Sequence, residues 1–489
     1  MSSSTPTLTP VESSGLPATE VLDSAEQIDA SLRAQLMLLI SSASIWGVVA
    51  GFLGLIAGIK LIIPGFWNDC AWITYGRIQP AASNALLFGF AIQAGFAVLL
   101  WLVCRLGART LASGWTVLVG TKLWNLGVLV GTFGILSGDS TNLEGLEFPK
   151  YTVPILVLGY LMIGVSALMT FASRNRRELY VSQWYLLGAI FWFPWIYGTV
   201  AYLAVFHPMR GVVTPLLAAW FRNGVSTLWL SPLGIAVLYY FIPKITGRIL
   251  YSRYLALVGF WVLAFSGAWA TLQIGAPVPA WIVSVTVASS ILLLIPLIST
   301  SVNLLVTLNG FNGAKSNIWP FIKVATYCFV ISSLLLIWAN MPGLNKLTYF
   351  TIFGDGLRAL YLHGFVAMSF FAVIYYVLPR IALKGELSAS LTKVHFMLTL
   401  SGVSIVFLAL ALGGWLQGTA LANPLNSFMK SVETTSIFLK IGFLGGLLLF
   451  LGQIVFCLNV IGFLGKWGKN QVVPFLAEVR ATEPARRTK

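Results

Sequence analysis

The chain has 489 residues, of which 58% are apolar and only 9% are Asp, Glu, Lys or Arg. Charge that sparse cannot cover the surface of a soluble protein, where charged residues make up about 25%, and the mean hydropathy of +0.86 excludes a soluble enzyme, a coiled coil and a disordered chain. The net charge of +15 does not imply a nucleic-acid partner. In a membrane protein, basic residues gather in cytoplasmic loops, so the lipid bilayer is the expected partner.

Residues 1–34 are rich in Ser, Thr, Pro and acidic residues, lack a signal-peptide pattern and read as a disordered tail. Twelve apolar runs follow, each about 20 residues or longer, enough to span the hydrocarbon as a helix. They fall at 36–62, 81–104, 114–137, 151–173, 180–206, 215–243, 252–274, 279–307, 319–341, 350–379, 394–416 and 434–465. The expected fold is therefore an all-α integral membrane bundle of about twelve helices. The membrane domain covers 35–466, and a basic cytoplasmic tail covers 467–489.

Nineteen basic residues fall on the side of the termini and six on the other, which places both termini in the cytoplasm. Five more lie within or near the ends of spans: Lys122, Arg222, Lys323, Arg358 and Lys440. The three lysines are expected to snorkel on their long stems. Asp355 precedes Arg358 by three residues, which puts both on one helix face as a local ion pair.

Motifs of soluble enzymes are absent, including the phosphate-binding loop and zinc signatures. The four cysteines form no CxxC, and no disulfide is expected. Only three histidines occur, His207, His363 and His395. His207 and His395 lie at span ends and are expected at the membrane interface.

Four segments carry a more specific pattern. They are TYGRIQPAASNALLFGF at 74–90, YVSQWYLLGAIFWFP at 180–194, WFRNGVSTLWLSPLGIAVLYYFIPKITGR at 220–248 and VAMSFFAVIYYVLP at 366–379. Together they resemble subunit I of the heme-copper oxidases, most closely the C family of cbb-type cytochrome c oxidases and the related nitric oxide reductases. The resemblance runs over about 36–465 and implies a twelve-helix core. It also implies six histidines, two on a low-spin haem, one on a high-spin haem and three on copper.

At every one of those positions this sequence carries another residue. QPAASN at 79–84 puts Ala82 at the low-spin haem position of the second helix. WFRNGVS puts Arg222 at the first copper position. The remaining copper pair falls at Thr271 and Leu272, counted back from Pro279–Trp281. The tenth-helix haem pair falls at Leu357 and Ala359, counted back from Tyr375–Tyr376. His363 lies one turn beyond Ala359, either as the ligand of a shifted haem or as a hydrogen-bonded histidine inside the bundle.

Trp220, Trp229, Trp269 and Phe365 are expected to fill the vacated haem space. Arg222 is expected to stand in for part of the lost copper charge. Arg222, Asp355, Arg358 and His363 are the candidate functional polar groups. No haem or copper is expected unless unorthodox ligands hold them.

The resemblance then implies a subunit I-like scaffold or docking component of a respiratory complex in the bacterial inner membrane. Its partners would be other subunits such as c-type cytochromes. Two alternatives remain at this point. One is an active oxidase or NO reductase with unorthodox ligands, and the other is a transporter that uses the vacated interior.

Overall fold

The structure is a computed structural model that describes residues 23–270, 278–311, 316–382 and 385–486, the last seventeen as backbone only. Its helices are α1 (Ala25–Ile62), α2 (Tyr75–Gly107), α3 (Gly114–Ser137), α4 (Thr152–Ala172), α5 (Val181–Phe206) and α6 (Val213–Thr246). They continue as α7 (Arg253–Ser266), α8 (Ala280–Leu308), α9 (Trp319–Ala339), α10 (Phe353–Ile381) and α11 (Ala389–Ala422). The chain ends in α12 (Phe428–Arg486). Among the described residues, eleven of these are long and apolar enough to cross a membrane, whereas α7 has 14 residues. Each expected span maps onto one helix.

The start of the domain differs from expectation. α1 starts at Ala25, so residues 25–34 are helix and the expected tail is shorter. Ser24 caps it, accepting from Gln27 N at 3.2 Å while Gln27 Oε1 accepts from Ser24 N at 2.8 Å, a reciprocal arrangement that satisfies two orphan amides. The polar first turns are then fastened to the bundle. Trp101 Nε1 donates to Asp29 at 3.2 Å, Thr110 N to Asp23 at 2.7 Å, and Arg33 Nε to the Ile381 carbonyl at 2.6 Å. At the other end, α12 continues as helix through Arg486, and its apolar span ends at Lys469.

Burial sorts the helices into inner and outer. In their most apolar stretch, α2 and α6 are 89% buried and α10 is 78% buried, against 28–33% for α1, α11 and α12. The three inner helices are the ones that carry the second-, sixth- and tenth-helix motifs. Lys122, Lys323 and Lys440 are exposed on the outer face of their helices, where long stems reach an interface.

Small residues let the outer helices close on one another. A Cβ on Gly402 would stand 2.9 Å from the Gly445 carbonyl oxygen, and one on Gly445 would stand 2.9 Å from the Gly402 oxygen, so α11 and α12 touch backbone to backbone. Gly120 and Gly159 do the same for α3 and α4.

Polar side chains lock α1, α2 and α3. Asn125 accepts from Trp46 Nε1 at 3.0 Å, exchanges two bonds with Gln93 at 3.0 and 3.1 Å, and Ser42 donates to Gln93 at 2.6 Å. Asn125→Leu is expected to cost about 0.6–1.7 kcal/mol, the range of interhelical hydrogen bonds in membranes. Thermal unfolding in detergent measures it, and no shift would mean that the network reorganises around water.

An aromatic stack fills the space between α2, α3, α4, α5 and α6. Its ring centroids are 4.5 Å apart for Tyr160–Phe193, 5.0 Å for Phe96–Trp124 and 5.4 Å for Phe193–Trp229. A second cluster joins the YYFIPK and YYVLP helix ends. Phe241 and Tyr376 lie 5.1 Å apart, Trp101 lies 5.6 Å from Tyr376, and the Arg380 guanidinium sits 4.0 Å over the Tyr376 ring. The two motifs thus meet at the end of the bundle that holds the termini.

Candidate functional site

At the opposite end, the loop between α3 and α4 folds over the mouths of α2, α6 and α10. Gly138, at φ +101°, ends α3 and opens the loop, a conformation only glycine adopts without strain. Glu147 anchors the loop to α2. Its buried carboxylate accepts from Asn84 Nδ2 at 2.7 Å and from Gly145 N at 2.8 Å.

Glu144, on the same loop, bridges the inner helices. It pairs with Arg222 on α6 and lies 2.7 Å from Arg358 Nη1 on α10, while Arg358 Nη2 lies 2.6 Å from Asp355. The Asp355–Arg358 pair that the spacing implies is thus half of a four-charge chain. Glu144 was not singled out from the sequence; it sits in a polar loop, 214 residues from Arg358.

The two loop carboxyls differ electrostatically. Partial burial works to raise the Glu144 carboxyl, but Arg222 and Arg358 outweigh it and hold it below the ordinary carboxylate value of 4.5. Burial holds Glu147 above that value despite its hydrogen bonds, and the neighbouring Glu144 charge adds to the rise.

Below the charge chain lies a cavity of about 500 Å³. Its walls come from α6, α7, α8, α9 and α10, with Asn223, Ser226 and Ser231 on α6, Tyr361 on α10, Leu263 and Leu297 on α7 and α8, and Ser332, Ser333 and Leu336 on α9. The expectation that aromatic rings fill this space is only partly met. Phe365 does turn inward, fully buried against Gly234 on α6 and 5.0 Å from Phe329 on α9. Trp229 belongs to the aromatic stack instead, 5.7 Å from both Phe96 and Tyr160. Trp220 and Trp269 line a separate apolar hollow of about 300 Å³ against α5 and α8.

The cause is a wide turn. Residues 222 and 229 are seven apart and would share a face in a regular helix. A π-helical turn at Ser226–Leu230 intervenes and rotates the later residues by about 100°. α10 carries a matching turn at Leu360–Ala367.

The remaining expected positions are placed as follows. Ala82 and Leu357 are buried and Ala359 is half-buried, and Leu357 lines the cavity. Thr271 and Leu272 lie outside the described residues. His363 is half-buried on α10, and its Nδ1 has no hydrogen-bond partner among the described residues. His207 is exposed at the end of α5, 4.5 Å from the Tyr202 ring. His395 is covered by protein and not exposed at the end of its span. It is buried, bonded through Nδ1 to Tyr375 Oη at 2.9 Å and ringed by Phe321, Phe371 and Phe456. The aromatic side chains of α9, α10 and α12 supply a cover that the basic flank of α11 does not announce.

The donor set does not suit haem iron or copper. Ala82, Leu357 and Ala359 offer no lone pair, and the Arg222 guanidinium is a cation without an acceptor site. Among the described residues, no three His, Cys, Asp or Glu side chains come together as a metal site.

A twelve-helix bundle with three buried central helices and a cavity between α6 and α10 is the architecture of an oxidase subunit I. The sequence profile of Cytochrome C and Quinol oxidase polypeptide I matches residues 34–448, and the chain belongs to that family. It is 27% identical over 442 residues to a cytochrome c oxidase subunit 1 homolog of Azorhizobium caulinodans, covering 86% of this chain and 79% of that one. It is 25% identical over 442 residues to a Cbb3-type cytochrome c oxidase subunit of Stutzerimonas stutzeri, covering 85% and 91%. A solved heme-copper terminal oxidase dimer shares its fold with a TM-score of 0.67 at 15% identity, covering 90% of this chain and 84% of that one.

Proposed function

We propose that this chain is a subunit I-like component of a cytochrome c oxidase-type respiratory complex that carries neither haem nor copper of its own. It acts as a scaffold or docking subunit for c-type cytochromes or a working oxidase. It sits in the bacterial inner membrane with both termini in the cytoplasm, as the basic-residue bias favours.

The observation that supports this most directly is the residue set at the six ligand positions: Ala82, Arg222, Thr271, Leu272, Leu357 and Ala359. The family's redox chemistry needs imidazole at each. Arg222 in particular adds a positive charge, fixed by Glu144, where a metal would need a donor. A pyridine haemochrome assay with metal analysis on the purified chain tests the reading. Haem and copper at background are expected, and stoichiometric haem overturns it.

A further inference from the structure

The cavity between α6 and α10 has a hydrogen-bonding polarity that its residue types alone do not reveal. Ser226 Oγ donates to the Arg222 carbonyl at 3.0 Å, Thr227 Oγ1 to the Gly267 carbonyl at 2.8 Å, and Tyr361 Oη to the Ser226 carbonyl at 2.6 Å. A hydroxyl has one proton to give and two lone pairs to offer. With the Tyr361 proton committed, Ser231 must be the donor in its 3.0 Å contact with Tyr361 Oη. These four hydroxyls of α6 and α10 have therefore spent their protons inside the protein, and the wall they form turns lone pairs toward the cavity, while Ser332, Ser333 and Tyr349 line other parts of it.

The wide turns create this arrangement. The Ser226 carbonyl accepts from the Ser231 amide across the π-helical turn and still receives the Tyr361 hydroxyl. Asn223 Nδ2 gives one of its two protons to the Gly267 carbonyl at 2.7 Å.

The charges above set a second condition. Arg222 and Arg358 are matched by Glu144 and Asp355, so the mouth carries no net charge. Glu144, Arg222 and Arg358 line the cavity together, so an anion would meet lone pairs and a carboxylate beside the guanidiniums, and a cation would meet the guanidiniums. Leu263, Leu297 and Leu336 supply apolar surface. The volume of about 500 Å³ falls within the range of small-molecule sites, roughly 300–1,000 Å³.

We propose that this cavity binds a neutral, membrane-soluble molecule that presents a hydroxyl donor to the acceptor wall. A phenol or long-chain alcohol can donate to that wall, and the corresponding ether or ketone cannot. The proposal rests on the reading that haem does not occupy this space.

The test uses the full chain in detergent and a matched pair of probes, 4-octylphenol and 4-octylanisole, which differ in whether the oxygen carries a proton. Equilibrium binding is expected to favour the phenol by about tenfold, the worth of one well-made hydrogen bond. Tyr361→Phe, which removes one acceptor, is expected to reduce that preference. Should the variant fail to fold, photo-crosslinking with an azido-substituted octylphenol locates the site in the native chain, and labelled peptides from α6 and α10 are expected. Equal affinity for the two probes, binding of neither, or labelling confined to the outer helices overturns the proposal. A haemochrome assay on the same sample separates the two failures. Haem in the preparation defeats the haem-free reading, whereas a haem-free sample indifferent to the phenol defeats only this inference.

Discussion

Leucine in place of Gly414 is expected to prevent assembly of the membrane domain or leave it severely destabilised. A Cβ at Gly414 would run into the backbone nitrogen of Phe353 at the start of α10, and one at Gly418, a turn along α11, would run into the carbonyl of Leu347. Gly356 of α10 approaches α11 from the other side, where a Cβ would lie 2.9 Å from Ala411 N. The neighbours here are main-chain atoms, which cannot rotate away. Overpacking in a well-filled core costs about 1–3 kcal/mol even where side chains can adjust, so this junction belongs at or above the top of that range. Gly446, also in a helix of the outer layer, has open space around its Cβ position, and Gly446→Leu should be close to neutral. Thermal midpoints of the two variants in the same detergent check the contrast. Equal effects would mean that α11 can retreat from α10 at little cost.

The second large effect concerns the loop between α3 and α4. Glu144→Gln leaves Arg222 and Arg358 without their shared carboxylate. Removing one partner of a fully buried ion pair costs about 3–5 kcal/mol, but these side chains are 33–59% exposed, so solvent screening lowers the expectation to about 1–2 kcal/mol.

The pH dependence has two parts of opposite sign. Glu144 titrates below 4.5 when folded, so its stabilisation is complete above that value and is lost as pH falls through the lower folded-state value. Glu147 titrates above 4.5 when folded, so its ionised form is a burden that is relieved as pH falls through the raised value. Acidification from neutrality should first tighten the loop and then release it. Limited proteolysis of residues 139–149 across a pH series reads this directly. Glu147→Gln should remove the initial gain and leave the later loss, and a protection profile that only declines with acid would contradict the assignment.

Much of the architecture is readable in the sequence because hydrocarbon demands helices of a minimum length, and apolar runs of that length stand out. The inner position of α2, α6 and α10 is not readable that way, since lipid-facing and buried leucines look alike. The site divides similarly. Asp355 and Arg358 are found by helix spacing, whereas Glu144 reaches them across the fold and leaves no periodic trace. Trp229 is misassigned for a different reason. Counting by regular helical turns carries it toward Arg222, and nothing in STLWL announces that the turn is wide. The polar start of α1 reads as tail because its partners, Trp101, Thr110 and Ile381, lie far along the chain.

The wide turn in α6 also bears on how this helix tolerates change in length. Excising one residue from Ser226–Leu230 would return the segment to an ordinary repeat and leave every later side chain on its present face, because the wide turn holds one residue more than a regular one. A deletion in a regular stretch of α6 would instead swing every later side chain by about 100°, so the wide turn is where this inner helix can lose a residue and keep its packed wall.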